Sequence, residues 1–362
     1  MGLIGVPTTT GILPPLWPDA DPSVLVPIPE HDDLRSVTRA MLAGHAAAPD
    51  LWDLLTAELA VAGMAVPERL GGSGYGLREV AVVLEEAGAA LVSHPILSGA
   101  VLGAQALVLS GSADDLLPDV LRGEHLVTVW FGSGTAPVAT EADGAWTVSG
   151  LADRVLDGAR ARHVVVPVGT ALFLVDVQPG TVRPRRVVDE TRPQADVVFD
   201  AAPARVLVAG SRSAVVLARL RTLRDVAVAA EHAGIVGHLL DLTVGYVRTR
   251  EQFGRPIGSF QAIKHRLADV LVDRERCLSA ARFAAAAYDA DPDGAGVPAA
   301  VAAAVCGDAL MRTAHETVQL HGGVGFTWEH SAHHYLRRAL GDEGLFGSAH
   351  AHRLRLAELL GF

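Results

Sequence analysis

Apolar and polar positions along the chain change their period twice. From Asp32 to about Arg122 they keep a helical rhythm, first around Leu34–Leu59 and again through LREVAVVLEEAGAAL, with a break at VPERLGGSGYG. Pro67 and the glycines Gly71, Gly72, Gly74 and Gly76 make that break a loop. From about His125 the pattern becomes short β-branched runs, TVWFGSG, AWTVSG, RHVVVPV, ALFLVDV and ADVVFDA, separated by Gly, Pro and Asp. Such runs predict a small β-domain. Around Ser211 the helical period returns and persists to the end. Val226, Ala230, Ala233, Gly237, Leu240, Val244 and Val247 advance in alternating steps of four and three, the stripe of a long helix packed in a bundle. A turn at Gly254–Gly258 ends it, a second helix starts near Ser259, and a third follows Pro298 and reaches Gly322-Gly323. The expected fold is α+β and mostly helical, with an extended arm over 1–30, a helical domain over 31–123, a β-domain over 124–207 and a helical bundle over 208–362.

Composition narrows the function. The 362 residues are 50% hydrophobic with a net charge of -11, which marks a folded globular chain. The acidic balance argues against a nucleic-acid partner, because phosphate binding needs a basic face. Two cysteines, Cys277 and Cys306, make neither a disulfide framework nor a metal-ligand spacing. His330 and His334 have a helical i, i+4 spacing, but with no Glu or Cys ligand in a recognised pattern and with Arg337 and Arg338 beside them, no metal site is expected. The start, MGLIGVPTTTGILPPLWPD, has no basic n-region and no continuous apolar core, so it is not read as a secretory signal. No run of about 18 uncharged apolar residues marks a membrane span. A cytoplasmic protein is expected.

The segment richest in chemistry is Arg248-Thr-Arg-Glu-Gln-Phe-Gly-Arg-Pro-Ile-Gly-Ser-Phe-Gln261. It puts Arg250 at a helix end, where a guanidinium either satisfies C-terminal carbonyls or offers a planar fork to a phosphate. RTREQFGRPIGSFQAIKHRLAD resembles the signature segment of the acyl-CoA dehydrogenase family. Gln319-Leu-His-Gly-Gly-Val-Gly-Phe is similar to that family's QxHGGxGF loop, and GMAVPERLGGSGYGLREVAVVLEEAG to its early helical region. The three matches fall in the family's order and span most of the chain. The resemblance implies an N-terminal helical domain, a middle β-domain, a C-terminal four-helix bundle, and FAD held between subunits. Residue by residue, it implies Arg250 at the FAD pyrophosphate, Phe253 near the cofactor, and Gln261 on the nucleotide. Gln319, His321, Gly322 and Gly323 would form the contact made across the dimer interface. Glycines there would let backbone N–H groups approach a phosphate, although Gly322-Gly323 also suits an ordinary helix C-cap.

The departures from the family are as informative. One usual position for its carboxylate base, nine residues after an Arg, is Phe346 here, counted from Arg337. The other, 26 residues before Arg250, is Arg224. Neither accepts a proton. Asp225 and Glu231 are weak substitutes, since Asp225 is turned about 100° from Arg224 along the helix. Glu231 lies two turns on and could equally be a structural carboxylate paired with His232 or an Arg. The middle-domain stretch Val129–Pro137 lacks the family's flavin-holding loop, and Ala152–Leu156 replaces its next flavin strand. Trp130 and Ser133 could still touch a ring.

The resemblance therefore points to the base-lacking, β-type subunit of a heteromeric (α2β2) acyl-CoA dehydrogenase. The expected activity is FAD-dependent α,β-desaturation of an acyl-CoA thioester, with the base supplied by a homologous partner and electrons passed to an electron-transfer flavoprotein. Bulky thioesters, including degraded sterol side chains, are the implied substrate class. The alternatives are a self-associating flavoenzyme using Glu231 or Asp225, and a catalytically silent scaffold without FAD.

Overall fold

The computed structural model describes residues 22–362 except 27, 45–47, 113, 114 and 133. Most of the expected N-terminal arm, and Ser133, lie outside the described residues. The first helical layer comprises α1 (Pro29–Leu42), α2 (Leu51–Glu58), α3 (Leu77–Ala89), α4 (Ala104–Ser110) and α5 (Leu117–Leu121), with a wide π-helical segment, Ile96–Gly103, leading into α4. The glycine-rich break runs between α2 and α3. It ends where a carboxylate from far along the chain caps α3: Asp289 accepts the Leu77 and Arg78 N–H groups at 2.6 and 3.1 Å. Glu79 accepts the Gly76 N–H at 2.9 Å. Burial, despite those bonds, pushes the Asp289 pKa up.

The middle of the chain forms a seven-stranded sheet from β1 (Val127–Val129), β2 (Val138–Ala142), β3 (Ala145–Leu156), β4 (His163–Val168), β5 (Ala171–Asp176), β6 (Val182–Pro184) and β7 (Gln194–Ala209). The order is β1-β4-β5-β7-β3-β2, with β6 also on β7, and every pairing is antiparallel except β1 with β4. Strand alternation feeds two cores. Val164, Val166, Phe173 and Val175 face one cluster with Trp130, while Val165, Leu172 and Leu174 join the core shared with the helices. Both faces of β4 and β5 are thus buried, which is why their runs read as continuously apolar.

The rest is a bundle: α6 (Ser211–Thr249), α7 (Gln261–Ala290), α8 (Gly296–His321), α9 (Ala332–Phe346) and α10 (Ala349–Leu359), with a small β8–β9 hairpin (Glu251–Gln252, Arg255–Pro256) between α6 and α7. The 39 residues of α6 make it about 58 Å long at 1.5 Å per residue. Of the expected stripe, Val226, Ala230, Ala233, Leu240 and Val247 are buried, while Gly237 and Val244 are half-buried. Val228, Ala229, Ile235 and Leu239 are buried as well, so α6 is covered by α3, α7 and α8 on more than one side. The segment Gly296–Phe326 is long and apolar enough to cross a membrane by length and composition, and 61% of its most apolar window is buried within the fold. Its apolar character comes from alanines such as Ala302, Ala309 and Ala314 that let neighbouring helices approach closely.

Where α3 crosses α6 the backbones touch. A Cβ at Gly234 would overlap the Glu85 carbonyl, and one at Gly88 would overlap that of Glu231. The reciprocal glycines fix this crossing, so Gly234→Ala is expected to cost about 1–3 kcal/mol or more through forced separation. The shift in denaturation midpoint against wild type measures it; an unchanged midpoint would remove the glycine argument.

Candidate cofactor and substrate sites

A cavity of about 250 Å³ opens where the sheet meets the bundle. β1 leads into its wall: Thr128 Oγ1 donates to the Leu156 carbonyl at 2.9 Å, and Trp130 Nε1 to the Asp153 carbonyl at 3.0 Å. β3 supplies Asp153 and Arg154 from a bulge between Ala152 and Val155, with Arg154 held at φ +51°. That left-handed conformation is unfavourable for an arginine. Its N–H is retained by Asp196 Oδ1 at 3.0 Å.

Arg224 and Phe346, 122 residues apart, both line this cavity. Trp130 and Phe131, from the stretch resembling the flavin loop, line it too. The Arg224 guanidinium lies 4.8 Å over the Phe131 ring and pairs with Asp225 at 2.7 Å. Phe346 packs under Arg192, 5.3 Å from ring centre to guanidinium. The two positions at which a base is usual therefore converge on one site, occupied by a permanent cation and a hydrocarbon ring. Neither substitute carboxylate is among the lining residues. Asp225 instead faces a smaller cavity, about 70 Å³, together with His232, Asp342 and His352.

Glu231 is committed elsewhere. Arg192, on the loop before β7, bonds its Oε2 at 2.6 Å, and both side chains are buried. Arg192 Nε also lies 2.8 Å from Asp342 Oδ1, an ion pair in which the N–H is not aimed at the oxygen. Asp342 Oδ2 in turn meets His232 Nε2 at 3.1 Å. One turn earlier on α9, buried Arg338 bonds Asp189 and, at 2.7 Å, Thr191 Oγ1. Burial alone would lower the Arg192 pKa, but Asp342 and Glu231 hold it above the usual arginine value. Burial pushes Asp342 upward, and Arg192, His232 and Arg338 outweigh it, leaving its carboxyl below the ordinary range. Glu231 thus faces Arg192 rather than the cavity. Sequence reasoning missed Arg192 and Asp342, since nothing local singles out either one.

The second group sits at the far end of α6. Arg250 caps the helix: its N–H donates to the Tyr246 carbonyl at 2.9 Å, and its own carbonyl accepts from Ile257 at 2.8 Å. Its side chain is exposed and, among the described residues, forms no ion pair. Phe253 and Gly254 make the tip of the β8–β9 hairpin at φ +53° and +74°, the two positive φ values of a tight hairpin turn. Phe253 is 92% exposed, with its ring edge-on to Phe260 at 6.0 Å. Gln261 opens α7 and is exposed.

The Gln319–Gly323 segment meets this corner from α8. His321 is buried, stacks on Tyr246 at 4.3 Å, and turns Nδ1 to the Thr317 carbonyl at 2.7 Å. Its Nε2 has no partner among the described residues. Burial, then repulsion from His330, lowers its pKa. Gln319, Gly322 and Gly323 are exposed. Gly322 adopts φ +61°, ψ -141°, and no atom occupies the Cβ position at either glycine. Arg250, Phe253 and Gln261 on one side and the 319–323 segment on the other thus share one bundle end. His330 is not on a helix: it precedes α9 and its Nδ1 accepts the Ala332 N–H at 3.1 Å.

These two corners are far apart. Arg224 and Arg250 are 26 positions apart on α6, about 39 Å at 1.5 Å per residue. One dinucleotide does not reach both within a single chain.

A helical layer, a small sheet and a long-helix bundle, meeting at one cavity with an open arginine corner remote from it, form the scaffold of a thioester dehydrogenase. The chain belongs to the acyl-CoA dehydrogenase family, oxidoreductases acting on the CH–CH bond of acyl-CoA. Residues 214–361 match the family description "Acyl-CoA dehydrogenase, C-terminal domain" and residues 31–124 match "Acyl-CoA dehydrogenase, N-terminal domain". Acyl-CoA dehydrogenase FadE34 of Mycobacterium tuberculosis is 38% identical over 307 residues, 83% of this chain but 41% of that protein. The chain thus spans less than half the length of that relative. The "Tcur3481-Tcur3483 steroid ACAD G363A variant" superposes with a TM-score of 0.81 at 30% identity, covering 91% of this chain and 97% of the other. The ChsE4–ChsE5 complex from Mycobacterium tuberculosis gives 0.83 at 27% identity, covering 93% and 98%.

The buried network yields a prediction with a definite sign. Because the folded pKa of Asp342 is depressed, its contribution is complete above the unfolded value of about 3.9 and is lost as pH falls through the folded one. Asp342→Asn should cost about 3–5 kcal/mol near neutral pH by leaving buried Arg192 with Glu231 as its remaining carboxylate. The gap to wild type should narrow below about pH 4. Denaturant titrations of both proteins across that range test this, and a gap independent of pH would contradict it.

Proposed function

We propose that this chain is the base-free subunit of a heteromeric acyl-CoA dehydrogenase, and that it serves FAD from across a subunit interface. The observation that carries the reading is the asymmetry of its two corners. The cavity offers Arg224 and Phe346 where α-proton removal needs a carboxylate within hydrogen-bond reach. Its volume, about 250 Å³, falls short of the ~300–1,000 Å³ of ordinary ligand clefts and is small for a flavin ring plus a thioester. These residues do not fit the reacting half of the cofactor.

The opposite corner does fit its nucleotide half. Arg250 presents an uncommitted fork suited to a pyrophosphate. Exposed Gly322 and Gly323 leave room for backbone approach, and the orphaned His321 Nε2 lies beneath them. In this reading Gln261 and Gln319 contact the nucleotide and Phe253 packs beside it. FAD, when bound, supplies the hydride acceptor for α,β-desaturation, with electrons passing on to an electron-transfer flavoprotein. This chain orients and neutralises the cofactor, while a homologous partner supplies the base and most of the flavin pocket.

Two solved relatives that pair two polypeptides, the Tcur3481–Tcur3483 steroid ACAD and the ChsE4–ChsE5 complex, support the heteromer, and the former supports a bulky acyl-CoA such as a degraded sterol side chain. A cytoplasmic setting accords with that chemistry. Self-association with Glu231 as base is disfavoured by the Arg192 pair.

Visible absorption of the purified chain, alone and with a homologous subunit that keeps the glutamate, tests the proposal. The chain alone should be colourless and the pair yellow. Arg250→Ala in the pair should weaken FAD by about tenfold to a hundredfold, as expected for a lost hydrogen bond to a charged group. A pair that gains no flavin would leave a silent scaffold, and undiminished affinity in the variant would remove Arg250 from the site.

A further inference from the structure

The cavity at the sheet–bundle junction has lost what desaturation requires, yet it is not filled in. We propose that it binds a small organic monocarboxylate with a short apolar body. Its depth is apolar, with Leu102, Leu156 and Leu345 in the wall, while Arg154, Arg221 and Arg224 line the same space. An amphipathic anion matches that division, its tail inside and its head among the guanidinium groups.

The charge balance sets the ligand at one negative charge. Arg224 is answered by Asp225 at 2.7 Å, and Arg154 by Asp153 at 3.3 Å. Arg355, beyond the rim, is answered by Glu358 at 3.2 Å. Among the described residues Arg221 has no carboxylate partner, and its Nη2 reaches only the Phe131 carbonyl at 3.3 Å. It stands one turn from Arg224 on α6, so the two forks share a face of the helix. Partial burial, then repulsion from Arg224 and Arg355, outweighs the attraction of Asp225 and lowers its pKa. A carboxylate would supply that charge in the planar geometry a guanidinium prefers. A phosphate or sulfate dianion exceeds the single surplus charge and leaves the apolar wall unused. The volume, below that of ordinary ligand clefts, limits the body to a few carbons.

The proposal extends to this chain alone and does not depend on a partner or on FAD, so its failure leaves the heteromer reading untouched. Calorimetric titration of the full chain with hexanoate, hexan-1-ol and sulfate tests it. Hexanoate should bind saturably, and at least about tenfold more tightly than the uncharged alcohol or the tailless anion. Arg221→Gln, which breaks no ion pair among the described residues, should retain the wild-type unfolding midpoint and bind hexanoate at least about tenfold more weakly. Equal hexanoate affinity in that variant, equal affinity for hexanol or sulfate, or no saturable binding to wild type would each overturn the assignment. The comparison of hexanoate with hexanol on the unmodified chain decides the matter even if the variant does not fold.

Discussion

The buried ion cluster around Arg192 is the constraint on which the arrangement of the domains rests. Arg192 lies on the loop leading into β7, Glu231 and His232 on α6, and Asp342 and Arg338 on α9. Each of its charges is withdrawn from water and depends on the others for its solvation. The cluster fixes how the sheet abuts the bundle, and so it shapes the cavity beside it: Phe346 sits under the Arg192 guanidinium and forms part of the cavity wall. It also holds Glu231 on Arg192, outside the lining of the cavity. A carboxylate that looks placed for chemistry on a helical wheel is in fact part of the joint.

From that joint, α6 acts as a ruler. Its inner segment carries Arg224 into the cavity, and its last turn carries Arg250 to an open corner about 39 Å away. In the proposed assembly the far corner serves a partner's cofactor, while the cavity corner holds none. The cavity corner presents Arg224 and Phe346, whereas the arginine corner presents a fork, two open glycines and an imidazole nitrogen without a partner among the described residues. That asymmetry is what the proposed division of labour between subunits rests on.

Much of the fold was legible. The four-and-three stripe of α6, the β-branched runs of β4 and β5, and the glycine-rich break before α3 all follow from local periodicity and turn chemistry. Strand β2, with its polar VATEA sequence, and the short β6 escaped because edge pairing leaves little pattern in the residues themselves. The His330–His334 spacing suggested a helical pair, but Ser331 caps α9 after His330 and breaks it. At the site, spacing within motifs brought Arg224 and Phe346 forward as replacements for a base, and both line one cavity. Arg192, by contrast, meets partners 39 and 150 positions away, and no local pattern encodes a contact of that kind. The pairing of Glu231 with an arginine was foreseeable; which arginine was not.

The number of flavins in the assembled protein tests the division of labour most directly. If this chain lends only its arginine corner, each pair of one such chain and one base-carrying partner should hold a single FAD, at the partner's cavity. Quantifying released flavin against the mass of the intact complex measures that ratio. One FAD per pair is the predicted result. Two per pair, or flavin retained by this chain alone, would show that its own cavity still takes the cofactor and would contradict the account.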